Sequence, residues 1–84
     1  MQLNVDVVGE GLHPSEKVVL VDTKTGPEEL VLHVASVRHN LIDVGWPVGQ
    51  DGEYLLVELP RQTARGISRV WVRRDLVSNS EQAA

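Results

Sequence analysis

The chain has no cysteine and no phenylalanine, and its one methionine is Met1. Without thiols there is no disulfide to staple the fold and no thiolate metal site. A secreted domain this small usually relies on such staples, so a reducing, cytoplasmic setting is expected. No apolar run approaches the roughly 18 residues of a membrane span. The opening MQLNVDVVGEG carries Asp6 and Glu10 where a signal peptide would carry bases. His13, His33 and His39 follow no ligand spacing and have no cysteine to complete a site. No membrane, metal or cofactor is therefore expected, and His33, inside an apolar run, is expected to be partly buried and hydrogen-bonded.

The signals of enzyme chemistry are also missing. Ser15, Ser36 and Ser68 occur in no nucleophile elbow, and the glycines stand singly in turns instead of forming a phosphate loop. Glu28 and Glu29 are adjacent, so in a strand they point to opposite faces and make no acid–base couple. The expectation is a protein that is not an enzyme, with no catalytic residues.

What is abundant is valine, with fifteen in 84 residues. Valine is stiff at χ1 and suits a pleated surface better than a helix. Leu3, Val5 and Val7 alternate with polar residues as in a half-buried strand, and Lys17–Asp22 reads as a short strand buried on both faces. Residues 23–27 (TKTGP) form a turn. Glu29–Arg38 reads as a strand, with a helical stripe as the competing pattern and room for a bend near Ala35 and Ser36. His39 and Asn40 mark a tight turn, and residues 49–52 (GQDG) a hairpin turn. Tyr54–Leu59 and Ile67–Arg73 are the last two long strands. No internal repeat and no low-complexity segment is visible. A single domain over residues 1–77 is expected, with 78–84 (SNSEQAA) as a disordered tail.

The closing stretch RVWVRRDLV carries a resemblance. An x-Val-x-Val strand running into a short turn and a last strand resembles the C-terminal end of SH3-like small barrels. The resemblance covers residues 17–77 by strand count but only about ten residues by pattern. It implies an all-β, small, mostly antiparallel barrel of five to six strands with a single 3₁₀ turn near the C-terminus. Val70 and Val72 would face inward, and Arg73, Arg74 and Asp75 would form the turn. The ALYDY-like stretch of eukaryotic SH3 domains is absent, and arginine stands where the closing turn usually has proline, so recognition of proline-rich peptides is not implied.

Charge is unevenly placed. Within a net −4, residues 1–58 carry −7 and residues 59–84 carry +3. Five of the six arginines, Arg61, Arg65, Arg69, Arg73 and Arg74, lie in fourteen residues. Strand parity puts Arg69, Trp71 and Arg73 on one outward face, with Tyr54 on the neighbouring strand. Guanidiniums flanking an indole suit carboxylate or phosphate contacts and stacking. Trp46 continues the alternation of Ile42 and Val44, so its favoured place is the core; at a barrel rim beside Tyr54 it would form one wall of a groove. The candidate binding residues are thus Arg61, Arg65, Arg69, Trp71, Arg73, Trp46 and Tyr54. They point first to a non-catalytic module binding a protein partner or a second copy. The alternatives are a nucleic-acid-binding barrel that stacks bases on Trp71, and the protomer of a structural homo-oligomer.

Overall fold

The protein was analysed as a computed structural model that describes residues 1–78. It is all-β. The ten strands are β1 Gln2–Asn4, β2 Asp6–Glu10, β3 Glu16–Thr23, β4 Gly26–His33, β5 Val37–Arg38, β6 Leu41–Asp43, β7 Gly49–Asp51, β8 Tyr54–Glu58, β9 Arg69–Arg73 and β10 Val77–Ser78. They form three antiparallel sheets in the orders β10-β1-β6-β5, β2-β3-β4 and β7-β8-β9. This corrects the expected single closed barrel of five or six strands. Two 3₁₀ turns, Val34–Ser36 and Arg74–Leu76, replace the single one expected. The tail expected over 78–84 lies outside the described residues except for Ser78, which ends β10.

The strand chemistry follows the sequence. Val19, Val21, Leu30, Leu32, Val57, Val70 and Val72 alternate with outward residues and form the core with Leu3, Val5, Ile42, Val44 and Leu59. The stretch 29–38 is strand to His33 and turns at Val34–Ser36, close to the expected bend and with no α-helix. At the His39–Asn40 turn both residues have positive φ, 52° and 62°, the twist that matches a two-residue hairpin between β5 and β6. Alternation fails in two places. A bulge between Val7 and Gly9 leaves Val7 and Val8 exposed. Beyond Val44 the chain leaves the strand to cross between sheets, and Trp46 is 66% exposed, which corrects its expected place in the core.

An internal two-fold repeat, invisible in the sequence, organises the molecule. In the first sheet Leu3 pairs with Ile42 at the centre of β1 and β6; β10 flanks β1 through Leu3–Val77, and β5 flanks β6 through Ile42–Val37. Val5 N–H donates to the Asn40 carbonyl at 2.8 Å, and Val44 N–H to the Met1 carbonyl at 2.9 Å. Each half then makes a three-stranded meander, a 3₁₀ turn and a short last strand that pairs with the other half's first strand. Gly26 and Gly66, both with positive φ, precede equivalent positions in β4 and β9. The hairpin tips reach across: Lys24 N–H donates to the Trp71 carbonyl and Ala64 N–H to the Glu29 carbonyl, both at 2.8 Å.

Candidate functional site

The outward face of β7-β8-β9 gathers four of the seven candidate residues. The register sets Tyr54 opposite Arg73, Leu56 opposite Trp71 and Glu58 opposite Arg69. Because Val57, Val70 and Val72 are core-facing, strand parity turns Tyr54, Leu56, Arg69, Trp71 and Arg73 to the other side. Leu56 and Trp71 are half-buried. Gly49 on β7 lets the indole lie close: a Cβ there would be 3.4 Å from Trp71 Cη2 and 3.3 Å from Leu56 Cβ. The result is an apolar centre made by one leucine and one indole.

Charged groups ring this centre in pairs. Arg69 Nε donates to Glu58 Oε1 at 3.0 Å, and Arg73 Nε lies 3.4 Å from Asp75 Oδ1. Lys24 Nζ sits 5.2 Å from the Tyr54 ring centroid and 3.9 Å from Asp51 Oδ2. These pairs are solvent-exposed and contribute little to stability. They do preset the guanidiniums beside the indole.

The remaining candidates are dispersed. Arg65 is committed elsewhere: its Nη1 donates to Glu28 Oε2 at 3.1 Å. Glu28 is 3% exposed, on the core-facing parity of β4 with Leu30 and Leu32. Its other oxygen accepts from Thr63 Oγ1 at 3.0 Å, and that hydroxyl also accepts from the Arg65 and Ile67 N–H groups at 3.3 and 3.2 Å. Glu28 and Thr63 thereby hold the loop 60–68 against β4. Arg61 lies on the other half, over a hollow lined by Leu12, Val18 and Val31. Trp46 stands exposed on the connection into β7, where Val48 N–H donates to the Leu56 carbonyl at 2.8 Å. The five arginines that cluster in sequence therefore form no single cluster in space: Arg69 and Arg73 share the β9 face, Arg61 and Arg65 lie elsewhere, and Arg74 donates to the Gly52 carbonyl at 3.3 Å.

Glu28, Thr63, Lys24 and Leu56 were not among the candidate residues, although strand parity already turned Leu56 outward with Tyr54. The parity Glu28-Leu30-Leu32 was a usable signal, since it places a carboxylate on the core face and demands a partner. Lys24 needed the fold, because it reaches Tyr54 only through the cross-half contact at Trp71. His33 is exposed, not partly buried as expected, and its Nδ1 accepts from Ala35 N–H at 3.1 Å to cap the first 3₁₀ turn. Among the described residues no group of acidic and histidine side chains is arranged to hold a metal ion, and no helix is long and apolar enough to cross a membrane.

No family model, no curated protein and no solved structure matches this chain.

Proposed function

We propose that this chain is a non-catalytic interaction module that engages a protein partner, or a second copy of itself, through the outward face of β8 and β9. One observation carries the reading: Leu56 and Trp71 sit directly opposite each other on an outward face, ringed by charged side chains. An apolar centre with a polar rim is the anatomy of protein interfaces, and tryptophan and arginine are the side chains that most often dominate their energetics. Trp46 and Val48 are exposed on the connection that runs beside Leu56.

The arginine pairing favours a protein over a nucleic acid. Arg65, Arg69 and Arg73 each have a carboxylate within 3.4 Å, so much of the positive charge is already met within the chain. A phosphate-tracking surface needs uncompensated cations. The passage from β9 through the second 3₁₀ turn into β10 supports reading this end of the chain as SH3-like, within the limits of that passage.

The test places a photo-crosslinking side chain at position 56 in the full chain, alongside sedimentation across protein concentration. A defined adduct or concentration-dependent dimer that disappears in Trp71→Ala, with the variant's NMR spectrum still dispersed, supports the reading. Mixed-sequence single-stranded DNA or RNA that shifts the Trp71 indole N–H in a steeply salt-dependent way would replace it with the nucleic-acid reading.

A further inference from the structure

The two-fold relation makes each half an internal reference for the other, and at one position the halves differ. Gly9 pairs with Val18 as Gly49 pairs with Leu56, and Val18 pairs with Val31 as Leu56 pairs with Trp71. In the second half the indole of Trp71 lies against the position of a Gly49 Cβ, 3.4 Å away; in the first half a Cβ on Gly9 would meet nothing within 4 Å. Valine at position 31 leaves open the place where the other half holds a ring. The floor there is Val18 and Val31, both half-buried, and beside it Leu12 is 94% exposed.

The surrounding charge is mostly acidic. Glu10 and Glu16 line the hollow, and Asp6 and Glu29 share the outward face with Gly9 and Val31 by register. Arg61 is the cation at the rim, with His33 opposite Glu16. Among the described residues none of these four carboxylates belongs to an ion pair; Glu16 only accepts from His13 N–H at 3.4 Å. An apolar floor at the register positions equivalent to Leu56 and Trp71, bordered by carboxylates outside any ion pair, is complementary to an aromatic side chain flanked by cations.

We propose that the hollow lined by Gly11, Leu12, Val18 and Val31, next to Gly9, is a second binding surface, which receives an aromatic side chain from a basic segment of a partner protein. The aromatic ring stacks on Val18 and Val31 beside Leu12, as Trp71 stacks on Leu56. Lysine or arginine neighbours in the partner meet Glu10 and Glu16. This surface lies on β2-β3-β4 and is independent of the face on β8 and β9.

The test titrates the ¹⁵N-labelled full chain with the tripeptide Lys-Trp-Lys, using Lys-Ala-Lys and Glu-Trp-Glu as controls. The expected result is saturable shifts of the Gly9, Gly11, Val18 and Val31 amides with Lys-Trp-Lys, and binding of each control weaker by about tenfold. Val31→Trp, which supplies the missing ring from within, should close the seat and remove those shifts. Should that variant not fold, the surface double substitution Glu10→Lys with Glu16→Lys serves instead and should reverse the preference toward Glu-Trp-Glu. Equal response to Lys-Ala-Lys, or shifts centred on Trp46 or Trp71, would overturn the proposal. So would concentration-dependent shifts at Gly9 and Val18 without peptide, because they assign the seat to a second copy.

Discussion

Leu3 and Ile42 face each other across the β1–β6 pair, both essentially inaccessible, and the internal two-fold relation passes between them. Each is flanked by the other half's last strand through one valine, Val77 for Leu3 and Val37 for Ile42. The molecule's centre is therefore a contact between halves, not the core of either half.

Truncating this pair should destabilise the whole chain. Leu3→Ala and Ile42→Ala are each expected to cost about 2–5 kcal/mol, the range for removing fully buried aliphatic groups. Urea titration followed by both tryptophan fluorescence and far-UV circular dichroism should show one coincident transition in each variant. Separate transitions for the two halves would contradict the central role of the pair.

The equivalence of Gln2–Ser78 and Leu41–Arg38 predicts a tolerated circular permutation. A chain beginning at Leu41, ending at Arg38 and joining Ser78 to Gln2 through Asn-Gly replaces one hairpin turn by another of the same length. Its ¹⁵N–¹H spectrum should be as dispersed as the parent's, with the core amides little moved. A collapsed spectrum would remove the two-fold description.

Glycine replacements should separate the two halves. Gly49→Ala puts a methyl 3.3–3.4 Å from Leu56 and Trp71 and should displace the indole, with a change in Trp71 fluorescence and a loss of stability. Gly9→Ala meets open space and should be neutral or stabilising by up to about 1 kcal/mol through the unfolded chain. The thermal melt of Gly49→Ala should fall, and that of Gly9→Ala should hold or rise.

Thr63→Val tests what holds the loop 60–68. The hydroxyl serves Glu28 and two backbone N–H groups, and its loss leaves a buried carboxylate oxygen without that donor. A cost of about 1–3 kcal/mol is expected in chemical denaturation. Arg65→Gln should also destabilise, because although its own side chain is 72% exposed it is the cation on a carboxylate that is 4% exposed. Faster amide exchange at Ala64 and Ile67 in the valine variant would place the loss in the loop.

Strand identity was largely legible because valine-rich alternation records both conformation and facing, as at Val19 and Val21 or Val70 and Val72. The turn at His39–Asn40 was legible from asparagine's tolerance of positive φ. The repeat was not, because the halves share a pattern of burial and few identical side chains: Leu30 answers to Val70, Val31 to Trp71 and His33 to Arg73. The path from Val18 to Val31 is also two residues shorter than that from Leu56 to Trp71, which shifts the spacing between the halves. The candidate site was legible where strand parity decides it, at Tyr54, Arg69, Trp71 and Arg73. It was not legible for Arg61 and Arg65, whose positions depend on how a loop docks against the opposite half. Trp46 defeated the alternation argument because Gly45 and Pro47 bracket it where the chain leaves the strand.

The pairing of Gln2 with Ser78 also governs how the protein answers to tension. The first and last strands are antiparallel neighbours, and these two residues form the outermost pair of their ladder. A pull applied through residues 2 and 78 opens that ladder like a zipper, one residue pair at a time, and leaves β1 held by β6 alone. Held at this junction, the fold is mechanically soft, however well its valine core is packed.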